Sequence, residues 1–222
     1  MKHTLLLQLV GPMQSWGVQS NFTWRETGLE PSKSGVIGLL RAAFGHPRNL
    51  PVDPKMIELG MGVRIDQQGS IKRDFHTAGK SGYRRADGSL EDKDLIVSNR
   101  DYLADAAFLV GLEHDDLQWL QTIQEHLQNP IWFLYLGRKA FVPALPVWVR
   151  DGLTRKPLIE ALSEHQQWLG FGKRPETVPI FYDNDNGTII RPDYPISYAE
   201  RKRRFAQRRM TRITINFSEA TS

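Results

Sequence analysis

YLADAAFLVGLEHDDLQWLQTIQEHLQNP, residues 102–130, changes its hydrophobic period halfway along. Residues 102–112 form a short and almost continuous apolar run and read as a strand. After that Leu117, Leu120, Ile123 and Leu127 recur three or four positions apart, which is helical spacing. Asp115 or Asp116 supplies the cap, since a carboxylate accepts the free N–H groups of a first turn. Pro130, with no N–H to donate, ends the helix.

The flanking segments extend the pattern. Residues 4–10 hold Leu5, Leu6, Leu7, Leu9 and Val10 and read as a strand; Gln8 and Gly11-Pro12 argue against a secretory leader. Ser34 can cap a helix with Val36, Ile37, Leu40, Ala43 and Phe44 on its apolar side, stopped by Gly45 and Pro47. Strands are expected near residues 57–65 and at 131–136. The order β-α-β-β-α-β predicts an α+β fold with a ferredoxin-like (RRM-like) arrangement over residues 1–140, one used by RNA-recognition domains. Residues 67–100 interrupt it where a tight turn would suffice, so they are read as an inserted β-hairpin projecting like a thumb, with a mobile loop as the alternative. Residues 141–222 are expected to form a smaller β-rich C-terminal region. It includes a helix from Pro157 to about residue 169 and a hairpin of 179–182 with 188–191 around an Asn-Gly turn.

Of 222 residues, none is cysteine, which excludes thiol nucleophiles, disulfides and thiolate metal sites. No run reaches the roughly 18 apolar residues of a membrane span, and a cytoplasmic protein is expected. The net charge of +4 is uneven, because seven bases and one acid fall in residues 201–222. Such a concentration marks a polyanion partner. Ile213, Ile215 and Phe217 alternate with polar neighbours, so the basic segment is expected to be anchored on a strand.

Several chemistries can be set aside. Ser32 stands where a phosphate-binding loop needs Gly before Lys33-Ser34, and Tyr194 stands where a calcium loop starting at Asp183 needs its last carboxylate. The histidines have no close pair suited to zinc, and no Gly-x-Ser-x-Gly elbow is present. No metal, cofactor or catalytic residue is therefore assigned. His76, with Lys80 and Tyr83 nearby, has the groups for metal-free RNA cleavage; the alternative is a neutral imidazole that stacks or hydrogen-bonds. Trp16 is either a stacking platform, with Gln14 offering its amide, or a core residue. Lys33 and Ser34 stand at a helix N-terminus, where N–H groups and the dipole favour phosphate, although an ordinary cap also explains Ser34.

The segments GPMQSWG (11–17), PSKSGVIGLL (31–40), RDFHT (73–77), RDYLADAAF (100–108) and LGRKAFVP (136–143) together resemble the CRISPR-associated repeat-associated mysterious protein (RAMP) superfamily. Within it they are similar to the fifth Cas family as found in subtype I-E Cascade complexes, the CasD subunits. The resemblance implies a non-catalytic subunit of the Cascade surveillance complex in antiviral defence. Such a subunit binds and caps the 5′ handle of the CRISPR RNA and contacts the backbone and large subunits, meeting target DNA only through the complex. It implies a handle surface including Gln14, Trp16, Lys33, Ser34, Arg41, Arg138 and Lys139. Arg73, His76, Lys80 and Arg100 on the thumb, with Arg201 and Arg204 of the basic segment, complete the candidate RNA-binding set. A relative in a sister subtype matures the precursor RNA, so a metal-independent endoribonuclease is the alternative expectation.

Overall fold

The computed structural model describes residues 1–18, 23–79, 82–84, 88–91, 95–199 and 203–217. The strands are β1 (His3–Gln14), β2 (Trp24–Arg25), β3 (Gly60–Gln67), β4 (Ser70–Ala78), β5 (Tyr83–Arg84), β6 (Leu90–Glu91), β7 (Ile96–His114), β8 (Trp148–Thr154), β9 (Thr177–Asp183), β10 (Ile189–Ser197) and β11 (Arg204–Asn216). The helices are α1 (Lys33–Ala43), α2 (Pro54–Glu58), α3 (Leu117–Gln128) and α4 (Leu158–Glu164). Among the described residues, a mixed α/β architecture is built on one large, mainly antiparallel sheet of nine strands. Its main path runs β10-β11-β9-β3-β7-β1-β8, with β2 and β4 also paired to β7.

The apolar run of β1, Leu5 to Val10 with Gln8 as its one polar residue, follows from its place between β7 and β8, with side chains buried on both faces. Leu5, Leu7 and Leu9 enter one core with Val36, Ile37, Leu40, Leu120 and Ile123 of the two long helices. Leu6 and Val10 point the other way, as alternation on a strand requires, and join Leu158, Ala161 and Leu162 of α4. Gly62 and Gly111 lie opposite each other on β3 and β7. A Cβ on either would come within 2.8 Å or 2.6 Å of a Leu162 or Leu158 methyl, so the paired glycines make the shelf on which α4 rests. Arg64 of β3 is fully buried beside it. All five of its N–H donors are used, on Asp66 and on the carbonyls of Leu162, His165 and Gln167, which ties the end of α4 to the sheet.

Several expectations need correction. Residues 131–136 form no strand. The amides of Ile131 and Trp132 donate instead to the carbonyls of Ala43 and Ala42, so this segment closes the end of α1. The strand beside β1 is β8, beyond the expected divide at residue 140, and the sheet runs across that divide. The segments flanking the Asn-Gly turn do not pair with each other, because β11 inserts between β9 and β10. The turn packs on β11 through Asn184, whose amides reach the Arg209 carbonyl and the Thr211 hydroxyl. The helix after Pro157 ends at Glu164 rather than near residue 169.

Within residues 67–100, β4 pairs antiparallel with the first half of β7, from Ser70↔Ala104 to Ala78↔Ile96, and forms a hairpin. Ile71, Phe75 and Val97 on it are exposed.

Candidate nucleic-acid interface

Helix α1 is capped by Ser32, not Ser34: the Ser32 hydroxyl accepts from the Gly35 amide at 3.2 Å. The first free amide of the helix, on Lys33, donates to Asp193 Oδ2 at 2.8 Å. The Lys33 ammonium is buried and bonded to Asp183 Oδ2 at 3.0 Å. The anion site expected at this terminus is therefore filled by the protein's own carboxylates. The same two acids hold Arg208, which bonds Asp193 at 2.6 and 2.9 Å and also pairs with Asp183. Burial disfavours the Arg208 charge, but its hydrogen bonds to Asp193 and the fields of both acids outweigh it and raise its pKa. This network joins α1 to β9, β10 and β11. Tyr198, just after β10, reinforces the joint by donating its hydroxyl to the Ser34 carbonyl at 2.6 Å.

Gln14 and Trp16 are interior residues. The Gln14 amide donates to the carbonyls of Leu9 and Ala106 and accepts from the Trp16 indole, whose side chain is only 1% exposed. Of the alternatives for Trp16, the core position is the observed one, and no ring face is free for a base. Arg41 is 3% exposed and directs both terminal nitrogens at the carbonyls of Pro47, Leu50 and Pro51, which shapes the loop after α1.

What remains is a cleft of about 310 Å³ between α1, the 132–138 segment and the start of β11. Trp16, Ser34, Arg41 and Arg138 from the sequence-derived set line it, joined by Arg25, His46, Arg48, Trp132, Tyr135, Tyr198 and Arg203 and by one acid, Glu26. Arg138 is reached through Gly137, whose φ of +90° and approach to the Ser15 carbonyl exclude a side chain. Its guanidinium donates to the carbonyls of Arg25 and Asp101 at 3.1 and 2.8 Å. Among the described residues, no carboxylate pairs with Arg25, Arg41, Arg48, Arg138 or Arg203. Burial, then the neighbouring charges of Arg100 and Arg25, lower the pKa of Arg138. Arginine stays charged even so, and the cost of crowding cations is what a bound polyanion relieves. Burial and Arg41 lower the pKa of His46, so it stands neutral near pH 7. Burial raises that of Tyr198, which keeps its proton.

The other described candidates do not line this cleft. Arg73 bonds Asp101 at 2.7 Å with its guanidinium 4.0 Å from the Trp24 ring centre, while Arg100 donates to the Ser98 hydroxyl at 3.1 Å. His76 lies exposed with Nε2 2.8 Å from Asp74 Oδ2. Lys139 and Arg204 are exposed. Lys80 and Arg201 fall outside the described residues. The sequence-derived set missed Arg25, Arg48, Trp132 and Arg203. Arg203 belongs to the basic run, but no local motif distinguishes the others.

Residues 4–211 match the family described as CRISPR-associated protein (Cas_Cas5). CRISPR system Cascade subunit CasD of Escherichia coli (strain K12) is 31% identical over 153 residues, covering 63% of this chain and 67% of its own length. A solved structure described as "Crystal structure of Cas protein" is 38% identical with a TM-score of 0.77, covering 96% of this chain and 95% of the other. A chain of a "CRISPR RNA-guided surveillance complex" is 35% identical with a TM-score of 0.80, covering 96% and 90% respectively. With a family match over nearly its whole length and two structures agreeing in fold and sequence, the chain belongs to the Cas5 family of CRISPR-associated proteins, of the type that includes the Cascade subunit CasD.

Proposed function

We propose that the chain is a non-catalytic, cytoplasmic Cascade subunit that grips the 5′ handle of the CRISPR RNA in the arginine-lined cleft. In the same proposal it contacts the backbone and large subunits of the complex through other surfaces. The observation that carries the reading is the convergence of arginines without carboxylate partners on one cleft, beside aromatic side chains, in a fold whose buried Lys33, Arg64 and Arg208 are neutralised internally. Single-stranded RNA is bound by that combination of cationic groove and ring faces. The strand order β3-β7-β1-β8, with α1 and α3 on one side, supports a ferredoxin-like body. Residues 67–100 are then its thumb, reaching toward a neighbouring backbone subunit, and β9 to β11 belong to the β-rich C-terminal region. The reading is further supported by the relatives, one of which is a Cascade subunit and another part of an RNA-guided complex.

The test is equilibrium binding of the purified full chain to single-stranded RNA carrying the handle, across a salt series. A side chain that neutralises one phosphate of a single strand contributes about 0.7 to the salt slope. Arg25→Ala with Arg138→Ala should therefore weaken binding and flatten the slope by about 1.4. An unchanged slope and affinity would remove the cleft from the RNA path.

A further inference from the structure

The cleft has a second chemical character besides charge. Trp132 lines it yet is 45% exposed, an unusual state for so large an apolar ring, and Tyr135 lines it three residues on. Phe133 between them is 96% exposed. These rings do not sit on a slack loop. The amides of Ile131 and Trp132 are bonded to the last carbonyls of α1 at 2.9 and 3.2 Å, and Leu136 is buried, with its amide on the Phe141 carbonyl at 2.8 Å. The segment is held at both ends, so Trp132 is presented in a fixed position instead of being left over from poor packing.

We propose that Trp132, with Tyr135 beside it, is the platform on which one unpaired base of the RNA stacks while the arginines of the cleft hold its phosphates. This rests on the reading of the cleft as the RNA site and adds to it a base-directed contact. The occupant is argued from complementarity. A protein partner would have to bring acids to meet unpaired guanidiniums and an apolar knob to meet the ring, within a volume of about 310 Å³. That space suits a nucleotide-sized group and not a helix of about 10 Å diameter. A nucleotide carries both requirements in one unit, a phosphate and a flat π-face about one sugar apart. Tight confinement of the base is not required, because every base has a stacking face and preference arises from stacking strength.

The experiment uses the full chain and a series of single-stranded handle RNAs in which one nucleotide at a time lacks its base but keeps its sugar and phosphate. Wild-type protein should lose affinity by between fivefold and a hundredfold, roughly, at one position of the series, the range that base–aromatic stacking supplies. Trp132→Ala should bind the intact RNA as weakly as wild type binds that one base-free RNA, and should then be insensitive to removal of the base. Its salt slope should match wild type, since every cation that meets a phosphate is still in place. Trp132→Phe keeps a ring and should keep base dependence, which separates stacking from damage to the fold. Equal losses by Trp132→Ala on intact and base-free RNA, or no loss at all, would overturn the platform. Either result leaves the cleft standing if the arginine variants still flatten the slope. If Trp132→Ala binds RNA normally but fails to assemble with the other subunits, the ring is a protein contact and the proposal is wrong.

Discussion

Replacing Asp193 by Ala would test the joint that closes the cleft. Asp193 is buried and accepts three hydrogen bonds, two from Arg208 and one from the Lys33 amide at the start of α1. The substitution strands Arg208, itself buried, on Asp183 alone, and leaves a helix-terminal amide without an acceptor. Breaking a buried pair by removing one partner costs about 3–5 kcal/mol, because the surviving charge stays out of water. In a chain of this length each kcal/mol moves the melting temperature by about 2–4 °C, so a fall of about 6–20 °C is expected. Asp193→Ala with Arg208→Met removes the orphaned charge as well and should recover part of that loss. Because the hairpin of β10 and β11 carries Tyr198 and Arg203 to the cleft, RNA affinity should fall with stability in the single variant. Thermal unfolding followed by circular dichroism, with RNA binding on the same samples, measures both. A shift below about 3 °C, or a double variant no more stable than the single one, would show that the network is not what holds the hairpin to α1.

Arg64→Met should also destabilise by about 3–5 kcal/mol, since it abandons buried Asp66 and three carbonyls, and chemical denaturation will report it; a loss under about 1 kcal/mol contradicts the pinning of α4. Burial depresses the pKa of His46 and of His165, so both are neutral in the folded state; stability is full above the ordinary value of 6.5 and is lost as pH falls through their lowered values. A melting temperature that stays flat on acidification, or falls equally in the His46→Gln, His165→Gln double variant, counts against this. Replacing residues 72–99 by a Gly-Ser turn should leave a body that unfolds cooperatively, because among the described residues β4 pairs only with β7, while assembly with other subunits fails. Purified protein should leave repeat RNA uncut with or without divalent metal; product ending in a 2′,3′-cyclic phosphate, abolished by His76→Ala, would establish the endoribonuclease alternative.

What can be read from the sequence is what short-range pattern encodes. Leu5 to Val10 and the Leu117–Leu127 spacing reveal their elements because burial imposes a period on neighbouring residues. The Asp116 cap is legible for the same reason, since its carboxylate reaches only three residues on, to the Trp119 amide. The fourth strand is misplaced by propensity, because Ile131, Trp132 and Phe133 are strong strand formers, whereas the true strand β8 contains Arg150, Asp151 and Gly152 and owes its place to pairing with β1. Lys33 reads as a phosphate ligand because the acids that meet its ammonium and its amide lie 150 and 160 residues away, where no local pattern reveals them. The converse holds for Arg25 and Arg48, since being without a carboxylate is a property of the folded surroundings and leaves no mark on the adjacent sequence.

The length of β7 has a mechanical consequence. A projecting arm joined by a linker would swing independently, but here the arm and the centre of the sheet share one strand of 19 residues. The hairpin is a beam built into the wall: load at its end passes along the peptide chain to Phe108, Val110 and Leu112 in the core. Asp105, with φ of +56°, and Gly69, with φ of +70° and packed against the Ala104 carbonyl, mark the bend where the beam leaves the wall. Just beyond, β2 is fastened alongside at Asn99 and Arg100, and β2 ends in Arg25, whose carbonyl holds Arg138. Under the proposed function, a neighbour that seizes the beam would also set the position of Arg25 and Arg138 at the cleft, coupling a grip on the arm to a grip on the RNA.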